Sequence, residues 1–291
     1  MEKYIVGIGE ILWDVFPHGK VLGGAPANFA YHVSQSGFNG YAVSAIGRDP
    51  LGDEILDSLS HKKLNFLIEK TSFPTGTVQV TVDAKGVPQY EICENVAWDN
   101  IPFTSEMEEL ARKTLTVCFG TLAWRNSVSR ETINRFLDCL PESALKIFDI
   151  NLRQHFYSRE LIEQALTRCD ILKINDEEIS VIGQLFGWDK MSGLDICHQL
   201  LSDYSIEIVV MTKGIEGSIV MTETDTSVMP TPVVEVADTV GAGDSFTAAF
   251  ISSIIKGKSI PEAHQIAVNV SAFVCTQHGA MPVVPERLFS I

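Results

Sequence analysis

The segment 144–212 decides the fold. ALKIFDI (144–150), DILKIN (170–175) and IEIVVMT (206–212) are short apolar, β-branched runs, and helical patterns at 159–168, 176–185 and 192–203 stand between them. Strands that are apolar on both faces belong to a parallel sheet covered on both sides, and each parallel crossover needs a helix. The same alternation extends toward the N-terminus, with strands expected at YIVGIG (4–9), YAVSAIG (41–47) and TLTVCFG (114–120) and helices near 26–37, 51–62 and 128–139. Toward the C-terminus, GSIVMT (217–222) and TSVMP (226–230) bracket a turn from Glu223 to Asp225, and helices follow at 242–256 and 260–276. The expected class is α/β, three layers with a mostly parallel central sheet, and ligands are expected at the carboxyl ends of its strands.

One stretch departs from the pattern. TGTVQVTVDAKGVPQYEIC (75–93) alternates apolar and polar residues in two runs separated by Ala84, Lys85 and Gly86, as a hairpin does. It either leaves the main sheet or forms an antiparallel edge of it. With the Gly-containing segment 11–24 it would build a small β lid, drawn from roughly 11–24 and 75–103, on a single domain spanning 1–291. No internal repeat or linker divides the chain.

Lys and Arg number 22 against 37 Asp and Glu, for a net charge of −15, and there is no basic run. Nucleic acid is therefore not an expected partner, and a polyanionic ligand must be held by local donors. The six cysteines are spread singly without a C-x-x-C pair, as reduced thiols are. The N-terminus enters a strand at once and no apolar stretch reaches a membrane span of ~20 residues. The expectation is a cytoplasmic protein with no membrane partner.

The chemistry concentrates in DTVGAGDSF (238–246), which leads into the helical run TAAFISSIIKG. Gly241, Ala242 and Gly243 carry almost no side chain, so their backbone N–H groups can crowd around an anion where the helix dipole favours negative charge. The sequence presents this as a phosphate seat made without lysine. Asp244 stands directly inside it, as either a first-turn carboxylate that stabilises the helix or a base for a hydroxyl approaching the phosphate.

DTVGAGDSF resembles the C-terminal motif of the PfkB, or ribokinase-like, carbohydrate kinases. GGAPANFAYHVSQSG (23–37) is similar to that family's N-terminal glycine motif, NDEE (175–178) to its N-x-x-E motif and TKGIEGS (212–218) to its nucleotide loop, four motifs in family order. The resemblance implies a ribokinase-like fold and phosphorylation of a sugar by ATP, with Asp244 as general base and the Gly241–Gly243 amides as anion hole. It further implies that Asp14, Gly24 and Asn28 hold the sugar and that the Gly23–Gly24 pair hinges the lid. Asn28 offers an amide that both donates and accepts. Glu178 would orient water bound to Mg2+, although Asn175 and Glu178 at this spacing also make an ordinary capping box. Asn175, Thr212, Gly214 and Gly217 would meet the nucleotide, the last three also being readable as a hairpin turn. Asp238 and neighbouring carbonyls would hold a monovalent cation such as K+; Val283 stands where related enzymes often carry serine. A homodimer formed through the lid is the implied assembly.

GTLAWR (120–125) and FDINLR (148–153) resemble segments of the fructokinase branch and point to Arg125 and Arg153 as substrate contacts, each also readable as a surface ion-pair partner. Trp98 would give the sugar an apolar face or be buried in the lid. With no lysine beside the di-Gly pair, a neutral sugar fits, fructose first. The two arginines keep an acidic sugar such as 2-keto-3-deoxygluconate open, since a guanidinium suits a carboxylate. A non-catalytic sugar or nucleotide sensor would have little use for Asp244, the glycine seat and Glu178 together. GIGE (7–10) lacks the third glycine of a dinucleotide fingerprint, and no H-E-x-x-H or paired Cys/His spacing occurs.

Overall fold

The computed structural model describes residues 3–17, 19–82 and 88–289. The chain begins β1 (Tyr4–Ile8), β2 (Leu12–Phe16), β3 (Gly19–Gly23), α1 (Ala25–Gln35), β4 (Asn39–Gly47), α2 (Pro50–His61), β5 (Asn65–Thr71), β6 (Gly76–Val82) and β7 (Pro88–Ile92). It continues α3 (Ser105–Ala111), β8 (Thr114–Gly120), α4 (Ser127–Asp138), β9 (Leu145–Asp149), α5 (Arg159–Leu166), β10 (Ile171–Asn175), α6 (Asp176–Phe186) and α7 (Gly193–Tyr204). The last elements are β11 (Ile208–Thr212), β12 (Ser218–Met221), β13 (Thr226–Met229), α8 (Ala242–Ile255) and α9 (Ile260–Cys275).

Nine strands form one sheet in the order β13-β12-β11-β10-β9-β8-β1-β4-β5. β12 pairs antiparallel with both β11 and β13 at one edge, and the other pairs are parallel. This is a ribokinase-like α/β fold. The apolar runs bury both faces. Val6, Phe119, Phe148 and Leu172 pack on one side with Phe136 of α4 and Ile182 of α6. Their neighbours Ile5, Cys118, Ile147 and Ile171 pack on the other side with Phe29 of α1, Phe250 of α8 and Ile266 of α9. Because alternate residues share a face, Asp149 and Lys173, two positions beyond Ile147 and Ile171, project toward the α8 side. β1 lies between β4 and β8, where the strand order reverses, so the crevice beyond its carboxyl end is the place for a ligand.

Two glycines set the distance between α1 and the sheet. A Cβ on Gly7 of β1 would lie 2.1 Å from the Pro26 carbonyl oxygen, and one on Gly40 of β4 would lie 2.1 Å from that of Ala30. The helix therefore rests on the strands backbone to backbone.

The departing segments form a second sheet, β3-β2-β6-β7, apart from the main one. β2 and β6 pair parallel and the outer pairs antiparallel. The expected turn at Ala84, Lys85 and Gly86 lies outside the described residues. Residues 97–101 return to the main body, where Ser129 Oγ of α4 donates to the Trp98 carbonyl at 2.8 Å and Thr132 Oγ1 to that of Ile101 at 2.6 Å.

β5 and α3 are absent from the sequence expectations. The NFLIEKT strand sits at the edge, pairs only with β4 and is half-exposed along most of its length, so it lacks the long apolar run that marks the inner strands. The six cysteines are free thiols. Among the described residues no helix is long and apolar enough to cross a membrane.

Candidate active site

Gly241 is the N-cap of α8 with φ +78°, and no side chain caps this helix. A Cβ on Gly241 would lie 2.7 Å from the Ala280 carbonyl oxygen, so both the left-handed backbone and the close approach require glycine. The first-turn amides of a helix have no intrahelical partner. That of Ala242 makes only a 3.3 Å turn bond to the Thr239 carbonyl. The helix start thus presents amides and a positive dipole end with no side chain spent on them.

Asp244 follows at once. Its Oδ2 accepts a 2.7 Å hydrogen bond from Asn28 Nδ2, so two residues 216 positions apart in sequence meet at the site. Asn28 is buried, and its Oδ1 has no hydrogen-bond partner. Asp244 keeps partial exposure at the crevice floor and is otherwise enclosed. Burial and the neighbouring Asp149 raise its carboxyl to about 6, against the opposing pull of the Asn28 bond, Lys173 and Arg153. A base poised there is ionised near neutral pH and basic enough to take a proton.

Lysine is present after all. Lys173 of β10 is 7% exposed, with Nζ 3.4 Å from Asp149 Oδ1. A Cβ on Gly243 would lie 3.1 Å from that Nζ, so the ammonium stands against the bare first turn of α8. Burial disfavours its charge, but Asp149, Glu178 and Asp244 outweigh this and raise its pKa. The amide seat anticipated as lysine-free therefore has a cation brought to it from another strand.

Asn175 and Glu178 form the capping box of α6. Asn175 Oδ1 accepts from the Glu178 amide at 2.8 Å, and Glu178 Oε2 accepts from the Asn175 amide at 2.9 Å. Glu178 Oε1 also accepts from the Leu152 amide at 3.0 Å. Burial raises the Glu178 carboxyl and Lys173 opposes the rise. A carboxylate accepts about four hydrogen bonds, so Glu178 can cap the helix and still take others.

Thr212 ends β11 beside Asn175. Gly214 (φ +51°) and Gly217 (φ +110°) carry the connection to the antiparallel β12, where a Cβ on Gly217 would lie 2.3 Å from the Met229 carbonyl oxygen. The connection is thus a turn between antiparallel strands, at the same edge as the α8 start. Asp238 clasps its own loop: Oδ1 accepts from the Val240 amide and Oδ2 from the Gly279 amide, each at 3.0 Å.

On the other wall, Asp14 lies in β2, where a Cβ on Gly23 would be 2.7 Å from its Oδ2. Burial raises its carboxyl while Arg153 pulls it down. Gly24 (φ +121°) caps α1, and a Cβ there would lie 2.5 Å from the Glu10 carbonyl oxygen. Arg153 is exposed, with one hydrogen bond to the Leu152 carbonyl, and its charge acts on Asp14, Glu10 and Asp244. Its loop holds Asn151 at φ 41° and Gln154 at φ 49°, and Gln154 Nε2 donates to the Tyr90 carbonyl of the small sheet at 2.6 Å.

Arg125 is committed elsewhere. Its Nε and Nη2 donate to Asp99 at 2.7 and 2.8 Å and Nη2 to the Cys93 carbonyl at 2.6 Å, with the guanidinium stacked between Trp98 and Phe156. Trp98 is 0% exposed, so it presents no face to a sugar. Of the two arginines, Arg153 is the exposed one, while Arg125 is held by Asp99 and Cys93 and keeps only its buried Nη1 without a partner.

Three residues escaped the sequence reading. Glu10 is buried beside the seat, with Oε1 accepting from the Ala25 amide at 3.2 Å and Oε2 unpartnered; burial raises it to about 7. Asp149 and Lys173 each interrupt a buried strand with a charge, FDI and LKI. Buried charges come paired, so two such interruptions on neighbouring strands were the available signal.

Known proteins resemble the chain along most of its length. The chain is 27% identical to the ATP-dependent 6-phosphofructokinase of Thermoanaerobacterium thermosaccharolyticum over 98% of this chain and 92% of that one. It is 25% identical to 5-dehydro-2-deoxygluconokinase 1 of Bacillus cereus over 92% and 84%. The crystal structure of a Xylella fastidiosa fructokinase with bound ATP superposes with a TM-score of 0.85 at 21% identity, covering 99% and 97% of the two chains. Residues 14–287 match the sequence profile of the pfkB family carbohydrate kinases. The chain belongs to that family, and it is an ATP-dependent sugar kinase.

Proposed function

We propose that this kinase phosphorylates fructose, giving fructose 6-phosphate, with Asp244 as general base. The observation that carries the assignment of the base is the 2.7 Å bond from Asn28 Nδ2 to Asp244 Oδ2 beside the glycine start of α8. It joins a sugar-type amide, a carboxylate and an anion seat at one point. Asn28 Oδ1 accepts from a sugar hydroxyl, and Asp14 and the Gly24 backbone hold others. Asp244 takes the proton of the attacking hydroxyl, and the Gly241, Ala242 and Gly243 amides receive the charge of the transferring phosphoryl group. Asn175, Thr212, Gly214 and Gly217 line the nucleotide side. The small sheet acts as a lid that excludes competing water, and it pairs two chains as a homodimer.

Mg2+ suits the residues here. Asp149 Oδ1 is buried without a hydrogen-bond partner, and Glu178 has acceptor capacity beyond its two backbone bonds; both are hard oxygen donors for a hydrated ion carried in with ATP. When bound, the ion neutralises phosphate charge. Asp238 is the candidate residue for K+, although its two amide bonds also serve to close the loop.

Fructose is favoured because Ala25, not lysine, follows the di-Gly pair, which suits a neutral sugar. The free guanidinium of Arg153 supports a second reading, an acidic sugar such as 2-keto-3-deoxygluconate. A coupled ADP-release assay across fructose, 2-keto-3-deoxygluconate, ribose and nucleosides separates the two, and no response to any of them would defeat the substrate class. Asp244→Asn is expected to abolish turnover while leaving nucleotide binding intact; near-normal turnover would remove Asp244 as the base.

A further inference from the structure

We propose that Lys173 is a catalytic residue whose ammonium binds the transferring phosphoryl group at the start of α8. This rests on the reading of the Gly241–Gly243 amides as the phosphate seat. The ammonium has three donors. Its ion-pair contact is Asp149 Oδ1, at 3.4 Å, longer than an ordinary hydrogen bond to a charged group, and among the described residues Nζ has no other hydrogen-bond or ion-pair partner. A lysine serving only as counter-ion would be expected to close on its carboxylate at 2.7–2.9 Å. This one stands instead against Gly243, 3.1 Å from the place where any side chain would begin. Gly243 thus leaves room for the ammonium beside the amides on which a phosphate would sit.

The placement also meets a need set by composition. The protein carries a net charge of −15, and Glu10, Asp149, Glu178 and Asp244 crowd the site with carboxylates. A tetra-anionic nucleotide needs a fixed positive charge in that surrounding, and a compact ammonium shielded from water supplies one. In the reaction the sugar O–H proton passes to Asp244 as the sugar oxygen bonds to the γ-phosphorus. The bond from that phosphorus to the β–γ bridging oxygen breaks, and ADP leaves with the electron pair. Lys173 keeps its proton throughout and contributes charge and hydrogen bonds to the phosphoryl oxygens.

The test is the pH profile of kcat for Lys173→Met, with ATP and ADP binding measured by calorimetry. The groups bearing on Asp244 are Asp149, Arg153, Glu10 and Asn28 as well as Lys173, so loss of Lys173 will move the acid limb upward on any account. A phosphoryl contact adds a pH-independent loss. The alkaline plateau is expected to fall about 100- to 1,000-fold, the range for one lost oxyanion donor, with ATP binding weakened more than ADP binding. A plateau within about threefold of wild type, reached at higher pH, would reduce Lys173 to a tuner of carboxylates and overturn the proposal. If Lys173→Met does not fold, Lys173→Arg keeps a charge beside Asp149 but not the point charge at Gly243. Its plateau should fall at least about tenfold, and an unchanged plateau would refute the contact. Asp244→Asn run in parallel separates the failures: normal turnover there would defeat the site reading itself, whatever Lys173 does.

Discussion

Replacing Asn28 with leucine should move the acid limb of catalysis. Asn28 donates to Asp244 Oδ2 at 2.7 Å, and this bond favours the ionised carboxyl against burial and Asp149. A hydrogen bond to a charged group is worth about 1.5–3 kcal/mol, and one pKa unit about 1.4 kcal/mol. Losing it should raise the Asp244 carboxyl from about 6 by about one to two units, to between ~7 and ~8. The base works only when ionised, so activity falls as pH drops through that value. At pH 7 the ionised fraction would drop from about nine-tenths to about one-quarter at the middle of the range. Lys173 and Arg153 still favour the charge, while Asp149 and Glu10 oppose it. The assay is kcat/KM from pH 5 to 9 by coupled ADP release. Asn28 is also the proposed sugar contact, so the plateau should fall as well; the informative quantity is the limb. A limb within ~0.3 of the wild-type position would refute the coupling, whatever the plateau does.

Asp244→Asn should also stabilise the protein at neutral pH. The folded carboxyl titrates above its ordinary 3.8, so the wild type loses stability as pH rises from ~4 through ~6. Allowing for its partial exposure, the variant should gain about 1–2 kcal/mol at pH 8 in urea unfolding, and nothing below pH ~4. Arg125→Met breaks a buried ion pair whose side chains are 7% and 2% exposed. It should cost about 3–5 kcal/mol in the same measurement while leaving the sugar KM of the folded enzyme near wild type; a stable variant with a raised KM would restore Arg125 as a substrate contact. Gly241→Ala forces a side chain to φ +78° against the Ala280 carbonyl. It should lower kcat about 100-fold with little change in sugar KM, and unchanged turnover would dismiss the amide seat.

The inner strands and the eight helices read from sequence lie within about two residues of their observed bounds, because apolar periodicity is a local property. The edge strand β5 was missed because Glu69 and Lys70 suit a half-exposed edge and dilute the signal. Site residues were legible where a motif is contiguous, as in GAGD, and illegible where the fold does the joining. Nothing local tells that Asn28 reaches Asp244, or that Lys173 crosses to Gly243. Arg125 was readable either as a substrate contact or as an ion-pair partner. The structure shows the ion pair, with Asp99, 26 positions away, as the partner that no local pattern could name.

The glycine contacts beneath α1 bear on how such an enzyme changes its substrate over time. With Gly7 and Gly40 holding the helix in hard contact with β1 and β4, the floor that carries Asn28 has no slack to trade. Any side chain there would lift the helix and shift Asn28 away from Asp244. The loop at Asn151–Gln154 is under no such clamp: its second half, Arg153 and Gln154, is exposed, and it is tied to the small sheet through one Gln154 bond. Drift toward new sugars should therefore accumulate in that loop and in the strand it touches, while the chemistry underneath stays mechanically inherited.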